Sequence, residues 1–567
     1  MNILGLHACF TAQSHDPSAA LLMDGRTIAA TEEERLNRVK TSVGFFPYKS
    51  VEACLEIGRI KLRDIDRVAA DGVSFPYLRE KIAKCLKHKF GFCPPIHLVH
   101  HAKAHVAGAF LSSGFEKSLV VSVDGLGDRV SSLVEVAERK RGIAKFRELY
   151  RADKTVSLGN FYTAFTNYLG FKSVEGEYKV MGMAAYGKPR FNLSRWLRFD
   201  PASGQIVRKT PKAYNDFRIY TSVHEAIYNE KEIFRATGVR RPLPGFGGFR
   251  QEHFDLAASV QHVFQEAYLG LIQYYLKKEG LRTLCLAGGC ALNCLANMKL
   301  LHDPDLNVYI MPAASDRGLS LGAAMAVANQ AGERVFPVTH QYLGRGYTNG
   351  QIKQVLKMSG LPYKRVKDQA KDCAGELARG RVVAWFQGRA EFGPRALGHR
   401  SILANPRIRN MKIILNAKIK FRESYRPFAP AMLPEESQVI TRNGSDLGYM
   451  TFTLKVPTKL AKRYPEAVHF DGTTRVQSVN RKNSPLFHRL LCFLRKVSGV
   501  GVVINTSFNL ANEPIVDSPL DAIRSFISSG IDVLYLHQFK LSKKSPIPSR
   551  TVVVPPHKWE GRRGHHL

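Results

Sequence analysis

A short stretch with a histidine pair, a buried strand and a tight turn constrains the fold of this chain most. Residues 102–110 are rich in alanine and predict a helix, and His101 and His105 fall on one face of it, one turn apart. The apolar residues 119–123 predict a strand that ends at Asp124. Two imidazoles and a carboxylate can ligate a metal ion. The sequence therefore predicts a metal site, although a chain with 19 histidines also produces such spacings by chance.

The strand–turn–strand pattern occurs twice near the start of the chain. Residues 2–10 are apolar, a polar turn follows over residues 13–18, and the next apolar run leads to the hairpin signal Asp24-Gly25. After Asp124, residues 130–136 predict the second strand of another hairpin. Actin-like and sugar-kinase-like ATPases build their phosphate loops in this way. His15, at the tip of the first turn, is either a solvent-exposed turn residue or an acid/base group.

Length and composition describe a globular protein of more than one domain. A chain of 567 residues is too long for one compact core, and 44% hydrophobic and 23% charged residues are ordinary values. No apolar run approaches the roughly 20 residues that span a bilayer, and the first residues lack a basic leader with a long apolar segment. We therefore expect a cytoplasmic protein with no membrane partner, whose nine cysteines are reduced thiols.

The formal net charge of +35 is unusual. A strongly basic chain can bind nucleic acid, an anionic surface or phosphorylated substrates. The lysines and arginines are spread along the sequence, however, and short basic runs at residues 540–544 and 562–563 are expected to be solvated. Nucleic acid is therefore not the expected partner, despite the charge.

Further residues suit binding of a nucleotide to the first half of the chain. Gly125 follows the second hairpin turn, Lys179 lies in a stretch of small residues, and Gly288-Gly289 follows a strand and precedes Asn293. Asp316 lies at a strand-to-helix junction, where it is either a fourth metal ligand or a helix cap. Residues 190–255 predict an inserted subdomain that contributes to acceptor specificity.

The residue composition of the sequence changes near residues 335–350, which predicts domains over 1–345 and 346–567. Beyond this boundary a strand at residues 382–386 precedes a glycine-containing turn with several arginines. Arginine and lysine at strand ends can hold anionic oxygens. The residues that predict this second, anion-binding site are Arg395, Lys420, Arg422, Arg475 and Asn505. The mixed charges of residues 32–40 fit either an exposed helix face or part of a site.

Several motifs together resemble the carbamoyltransferase family that modifies nodulation factors and antibiotics, over nearly the whole chain. They are His15-Asp-x-Ser-Ala-Ala, Glu32-Glu-Glu-Arg, His101-x-x-x-His105, Val123-Asp-Gly, Lys179-x-Met-Gly-Met-Ala-Ala-Tyr-Gly, Ala287-Gly-Gly-Cys-Ala-Leu-Asn-Cys, Gly388-Arg-x-Glu-Phe-Gly-Pro-Arg-Ala-Leu-Gly, Lys420-x-Arg-Glu and Asn505-Thr-Ser-Phe-Asn. The resemblance implies an α/β fold, with an actin- and heat-shock-ATPase-like (ASKHA) N-terminal domain followed by a YrdC-like α/β C-terminal domain.

The resemblance also implies a reaction. The C-terminal domain would make carbamoyl adenylate from carbamoyl phosphate and ATP, and the N-terminal domain would transfer the carbamoyl group to a hydroxyl of a small natural product or saccharide. Carried over by motif, His101, His105, Asp124 and Asp316 would bind a divalent metal, which the resemblance implies is Fe²⁺, with Mg²⁺ accompanying ATP. His15 would be the catalytic acid/base group. Gly125, Lys179, Gly288, Gly289 and Asn293 would bind nucleotide in the N-terminal domain, and Arg395, Lys420, Arg422, Arg475 and Asn505 would bind ATP and carbamoyl phosphate.

Two positions depart from the family pattern: Lys103 stands between the two histidines where a neutral side chain is expected, and Cys290 stands where valine is commoner. Two rival functions also stay open. A threonylcarbamoyl-type tRNA-modification enzyme would share both folds, although the order of the domains argues against it. A non-catalytic nucleotide-binding module would be expected to lose the arginine-rich site, which is intact. The acceptor is not identified by the sequence.

Overall fold

A computed structural model describes residues 1–12, 14–208, 230–243, 248–423, 425–440 and 445–543. The predicted insertion at residues 190–255 lies partly outside these ranges. The basic run at residues 540–544 lies partly outside them, and the run at 562–563 entirely so. All nine cysteines fall within the described ranges, and each is a free thiol.

The first part of the chain forms one sheet with its covering helices. Its strands are β1 (Asn2–His7), β2 (Ser18–Met23), β3 (Arg26–Glu32), β4 (Arg67–Asp71) and β5 (Ile96–Val99). Its helices are α1 (Glu33–Asn37), α2 (Tyr48–Gly58), α3 (Leu78–Phe90) and α4 (His101–Ser113).

The next part forms a second sheet of the same size. The strands, in chain order, are β6 (Lys117–Gly127), β7 (Val130–Lys140), β8 (Ile143–Ala152), β9 (Arg198–Asp200), β10 (Gln205–Val207), β11 (Thr283–Ala287) and β12 (Asn307–Ile310). The helices are α5 (Leu158–Tyr168), α6 (Glu177–Ala184), α7 (Glu230–Thr237), α8 (Gln251–Glu279), α9 (Cys294–Leu300) and α10 (Leu319–Gln330). Strands β9 and β10 pair only with each other.

These two sheets share one topology. The first has the order β3-β2-β1-β4-β5, and the second has the order β8-β7-β6-β11-β12. In each sheet three consecutive strands pair in antiparallel fashion, and two further strands then extend the sheet in parallel with the first of the three. The hairpins predicted at Asp24-Gly25 and beyond Asp124 thus occupy equivalent places in a duplicated unit, which is the arrangement expected of an actin-like domain.

Helices α4 and α10 pack against each other between the two sheets, α10 against β1 and α4 against β6. Both helices are buried on nearly every side, which explains why their sequences are rich in alanine and glycine rather than amphipathic. They cross where Gly108 meets Gly322, since a Cβ atom at Gly108 would lie 3.2 Å from the Cα atom of Gly322. The close crossing fixes the position of the two histidines at the start of α4.

The last part of the chain forms a separate α/β unit. Its helices are α11 (Asn349–Ser359), α12 (Gln369–Ala378), α13 (Met411–Leu415), α14 (Pro434–Gln438), α15 (Thr458–Ala461), α16 (Pro485–Ser498) and α17 (Pro519–Ile527). Its strands are β13 (Lys364–Arg365), β14 (Val383–Phe386), β15 (Arg400–Ala404), β16 (Ala429–Met432), β17 (Thr453–Lys455), β18 (Thr473–Arg475), β19 (Gln477–Ser478), β20 (Val502–Ser507), β21 (Val533–Leu536) and β22 (Phe539–Ser542).

An eight-stranded mixed sheet, in the order β13-β22-β21-β14-β15-β20-β16-β19, is the centre of this unit. One core lies between the sheet and helices α11, α13 and α17, and another between the sheet and helices α12 and α16. Residues 341–345 join the unit to the duplicated domain, and their carbonyl groups accept hydrogen bonds from Ala390 and Phe392. The predicted α/β class is confirmed, and the duplicated sheet topology agrees with the predicted ASKHA-like first domain. None of the helices in the described segments is long and apolar enough to cross a membrane.

Candidate functional site

A single cavity of about 760 Å³ is lined by both α/β units. Its wall includes most of the residues that the sequence predicts, and those that reach it are His15, Asp124, Gly125, Lys179, Gly289, Asn293, Asp316, Arg395, Lys420, Arg422, Arg475 and Asn505. His101, His105 and Gly288 lie behind this wall. Residues separated by almost 500 positions in the sequence therefore face one space.

At one end of the cavity, His101, His105, Asp124 and Asp316 form the histidine–carboxylate cluster. The histidines come from the first turns of α4, Asp124 from β6, and Asp316 from the short helix Asp316–Gly318 that follows β12. One candidate ligand atom from each residue lies within 4.8 Å of the others. The Nε2 atom of His101 is 3.3 Å from Asp124 Oδ2 and 3.6 Å from Asp316 Oδ1. The side chain of Asp316 thus faces the cluster rather than capping a helix, and Ser315 occupies the cap position.

The cluster fits a divalent metal ion. The Nε2 atom of His105 is buried and has no hydrogen-bond partner, because Asp124 and Asp316 stand 3.7 and 3.6 Å away from it. A bound cation would use this orphaned nitrogen and draw the four donors together. Imidazole nitrogen and carboxylate oxygen together suit transition metals such as iron, zinc or manganese.

A second carboxylate orients the first histidine from behind. Asp71, at the end of β4, has one oxygen 3.1 Å from His101 Nδ1 and the other 2.7 Å from His7 Nδ1. This arrangement leaves His101 Nε2 facing the cluster, as in the carboxylate–histidine–metal arrangement of many metalloproteins. The sequence analysis missed both His7 and Asp71. No local sequence pattern signals this pair, because it depends on the parallel pairing of β1 with β4, whose ends meet at one edge of the sheet.

Opposing effects set the protonation of the cluster. Burial by itself lowers the pKa of His101, but Asp316, Asp124 and Asp71 outweigh it and raise that pKa well above its ordinary value. Burial likewise acts to raise the pKa of Asp124, yet His101 and His105 hold it well below its usual range. The negative and positive groups of this cluster therefore balance one another.

His15 lies beside this cluster and is not an exposed turn residue, since only 16% of its side chain is accessible. Its Nδ1 atom is 3.2 Å from Asp16 Oδ2, and its Nε2 atom is 3.8 Å from Asp316 Oδ2. Burial acts to lower the pKa of His15, but the hydrogen bond to Asp16 and the charge of Asp316 prevail and raise it. Asp16 is in turn paired with Arg317 at 3.0 Å.

At the other end of the cavity, Arg395, Lys420, Arg422 and Arg475 form the cationic cluster. Arg395 is carried by the loop between β14 and β15, Lys420 ends a π-helical turn, and Arg475 ends β18. Lys420 Nζ donates to the carbonyl groups of Ser507 and Asn509, at 2.6 and 3.0 Å. Within the described ranges, none of the four cations forms an ion pair.

The cationic cluster is buried without counter-charges, and this lowers the pKa values of its members. Burial lowers the pKa of Arg395 to about 9, and the neighbouring Arg475 adds to the effect. Burial and the charges of Arg422 and Arg426 also lower the pKa of Lys420 well below its ordinary value. The Nε atom of Arg475 and the Oδ1 atom of Asn505 are buried without hydrogen-bond partners. Such a cluster is stabilised when an anion enters it.

The remaining predicted residues have local roles in the structure. Lys179 Nζ forms an ion pair with Glu423 at 3.0 Å, so it joins the two units. Asn293 caps α9 and exchanges hydrogen bonds with Gln261. Gly289 N donates to Asp124 Oδ1 at 3.0 Å, and Gly288, with a φ of +82°, packs against Val123. Their predicted contacts with a nucleotide stay predictions.

The two departures from the family pattern differ in their relation to the cavity. Lys103 points away from the histidines, where its ammonium group contacts Glu135 and lies 3.2 Å from Glu148. Its charge is therefore matched outside the histidine–carboxylate cluster. Cys290, in contrast, lines the cavity next to Gly289.

Comparisons with known proteins bear on both units. The profile described as Carbamoyltransferase N-terminus matches residues 72–325, and the profile described as Carbamoyltransferase C-terminus matches residues 374–543. An uncharacterised protein of Synechocystis is 33% identical over 96% of this chain and 97% of its own. Nodulation protein NolNO of Sinorhizobium fredii is 33% identical over 94% of this chain and 80% of its own. The 3'-hydroxymethylcephem-O-carbamoyltransferase of Amycolatopsis lactamdurans is 34% identical over 44% of this chain and 46% of its own. The protein is thus a transferase, and it belongs to the carbamoyltransferase family.

Proposed function

We propose that this enzyme makes carbamoyl adenylate from carbamoyl phosphate and ATP, and transfers the carbamoyl group to a hydroxyl of a small natural product or saccharide. The observation that carries the proposal is the single cavity, which has the cationic cluster at one end and the histidine–carboxylate cluster at the other. Two steps with different electrostatic needs would then take place in one enclosed space. The name of the cephem O-carbamoyltransferase indicates a hydroxyl acceptor in that relative, which supports a hydroxyl acceptor here.

The cationic cluster suits the first step. Water would cleave carbamoyl phosphate to carbamate and phosphate, and a carbamate oxygen would then bond to the α-phosphorus of ATP as its bond to pyrophosphate breaks. Negative charge therefore accumulates on phosphoryl oxygens. Arg395, Lys420, Arg422 and Arg475 would hold these oxygens, the arginines by bidentate hydrogen bonds. Asn505, with its free Oδ1 atom, would accept a hydrogen bond from the carbamoyl amide or from the ribose.

The histidine–carboxylate cluster suits the second step. His15 would take the proton of the acceptor hydroxyl at a ring nitrogen, and Asp16 would stabilise the imidazolium that results. The hydroxyl oxygen would form a bond to the carbamoyl carbon as the bond to the adenylate oxygen breaks, releasing AMP. A divalent metal held by His101, His105, Asp124 and Asp316, for which we propose iron, would stabilise charge on the leaving phosphate. Gly125, Lys179, Gly288, Gly289 and Asn293 would accommodate the nucleotide at this end.

The first test needs no acceptor. Exchange of labelled pyrophosphate into ATP is measured with carbamoyl phosphate, and separately with threonine plus bicarbonate. We expect exchange only with carbamoyl phosphate. Exchange only with threonine and bicarbonate would instead establish a threonylcarbamoyl-type enzyme, which would give a role to the +35 charge. No exchange with either would leave nucleotide binding without this chemistry.

A further inference from the structure

The first four residues of the charged segment, residues 32–35, are buried rather than exposed on a helix face, and residues 36–40 are partly accessible. Glu32 is 1% accessible and Arg35 is 2% accessible, although both are ionisable side chains. Helix α1, which contains Arg35, is only five residues long, so helix propensity does not explain the segment. Buried charges of this kind persist only when specific partners hold them.

Two of these charges hold the loop that carries Arg395. Glu32 Oε1 accepts a hydrogen bond from the Gly393 amide at 2.7 Å, and Arg35 Nη2 donates to the Gly393 carbonyl at 2.6 Å. Glu32 and Arg35 also pair with each other at 3.4 Å. Gly393 has a φ of +112°, which L side chains rarely adopt, and it lies two residues before Arg395. The amide and the carbonyl group of Gly393 are thus both hydrogen-bonded to residues of the duplicated domain.

A third charge holds a second loop of the C-terminal unit. Arg38 donates to the carbonyl groups of Ile515 and Pro514, at 2.7 and 2.8 Å. Both residues line the cavity. Arg38 ends helix α1 in the left-handed conformation, with a φ of +64°, which turns its side chain toward this loop.

On its other side, the segment is connected to His15. Arg317 lies 3.0 Å from Asp16 and 3.6 Å from Glu34, and Glu34 is 3.7 Å from Arg35. Asp16 is the hydrogen-bond partner of His15. A continuous series of charged contacts therefore runs from His15 to the backbone next to Arg395.

We propose that Glu32, Arg35 and Arg38 are positioning residues that set the place of Arg395 and of the loop at residues 514–515 relative to the histidine–carboxylate cluster. They touch no reacting atom in this arrangement and act through the backbone of the C-terminal unit. The kinetic part of this inference rests on the proposed function, because it takes Arg395 as a ligand of carbamoyl phosphate or ATP. The structural part does not.

Arg35→Lys is the variant that separates the charge of Arg35 from its hydrogen bond to the Gly393 carbonyl. Lysine keeps a positive charge near Glu32 and Glu34, but its compact ammonium group cannot reproduce the planar contact with the Gly393 carbonyl. Arg59→Lys is the control, since Arg59 is an exposed arginine of the same domain and, like Arg38, follows a helix in the left-handed conformation. Arg38→Lys is a second test on a less buried side chain, should Arg35→Lys not fold.

Two measurements are made on the full-length protein. Hydrogen exchange should become faster at residues 391–398 in Arg35→Lys and at residues 513–516 in Arg38→Lys, and should stay as in the unmodified protein elsewhere. In carbamoyl-phosphate-dependent pyrophosphate exchange, KM for carbamoyl phosphate should rise roughly tenfold in Arg35→Lys while kcat changes less than about threefold. A purely structural role would lower the amount of active enzyme and leave KM unchanged.

Either result can overturn the proposal. Unchanged exchange at residues 391–398, or acceleration spread evenly over the chain, contradicts the positioning role whatever the activity. If KM is unchanged while local hydrogen exchange is faster, Glu32 and Arg35 hold the loop in place without affecting how Arg395 binds the substrate, and the kinetic part is wrong. If the unmodified protein catalyses no pyrophosphate exchange, the proposed function has failed, and the hydrogen-exchange result still tests the structural part.

Discussion

The two clusters that share the cavity differ in how their charges are balanced. In the histidine–carboxylate cluster each charged group faces one of opposite sign, and Asp71 adds a further carboxylate behind His101. In the cationic cluster, the four buried cations form no ion pair with the residues that the structure describes. In the histidine–carboxylate cluster the His105 Nε2 atom is left without a hydrogen-bond partner, whereas the cationic cluster lacks counter-charges until an anion binds.

This difference assigns different ligands to the two ends. Two imidazoles and two carboxylates offer the nitrogen and oxygen donors that a resident cation needs, and such a cation would displace the protons of the imidazoles. A cluster of buried, unpaired cations destabilises the folded protein when it is empty, and a polyanion that binds there stabilises it. We therefore propose the cationic cluster as the substrate site and the histidine–carboxylate cluster as the site of a resident metal.

The largest expected effect comes from removing one donor of the histidine–carboxylate cluster. His101→Ala should lower carbamoyl transfer on the order of 1000-fold, because it removes a ligand and leaves Asp71 without its partner, whereas pyrophosphate exchange should stay within about twofold of the unmodified enzyme. Carbamoylated product from an accepted saccharide or cephem alcohol is measured by mass spectrometry. His97→Ala, four residues earlier on β5, is the control and should leave both steps intact. Equal loss of both steps in His101→Ala would mean that the clusters do not act separately.

The converse experiment weakens the cationic cluster. Arg395→Lys keeps the charge but loses the planar fork, and kcat/KM for pyrophosphate exchange should fall on the order of 100-fold. Metal affinity, measured by calorimetry, should not change, because the variant leaves the other end of the cavity untouched. Arg409→Lys, an exposed position of the same unit, serves as the control. A parallel loss of metal affinity in Arg395→Lys would contradict the independence of the two clusters.

A smaller effect is expected from the carboxylate behind the cluster. Asp71→Asn preserves shape but removes the charge that orients His101, and it should weaken metal binding about 10- to 100-fold. Titration with Fe²⁺ under anaerobic conditions, or with Co²⁺ as a spectroscopic probe, measures the change. Asp66→Asn is a suitable control, since Asp66 is exposed and its carboxylate accepts a hydrogen bond from the backbone amide of Asn2 at the surface of the same sheet. Equal affinities in Asp71→Asn and the unmodified protein would show that Asp71 only packs.

The sequence predicts the members of each cluster better than it predicts their surroundings. His101 and His105 follow from helical spacing, and Asp124 and Asp316 follow from strand ends, which meet at one edge of a sheet. These are local patterns. The fold places β6 beside β11 and β11 beside β12, and the patterns converge as a consequence.

What the sequence could not give depends on contacts between distant segments. Asp71 becomes part of the site only because β4 pairs with β1, which brings His7 within 2.7 Å of it. The burial of Glu32 and Arg35 depends on Gly393, some 360 positions away. A mixed-charge run has the same pattern whether water or another domain covers it, so local periodicity could not decide between the two.

The smallest expected effect tests whether the histidine–carboxylate cluster ends at its own carboxylates. Lys103 stands between the two histidines in the sequence, yet its ammonium group contacts Glu135, which is fully buried. Lys103→Gln should therefore change metal affinity by less than about twofold. The variant leaves the Glu135 carboxylate unpaired, which should lower the free energy of unfolding by about 1 kcal/mol, since Lys103 itself is partly exposed. A fall in Tm of about 2 °C would report that loss. Glu148→Gln removes the outer contact of Lys103 together with an exposed pair to Arg151, and it should leave metal affinity unchanged and Tm within about 1 °C. Stronger metal binding in Lys103→Gln would instead show that this positive charge reaches the cluster, and that its charge balance extends beyond the four donors.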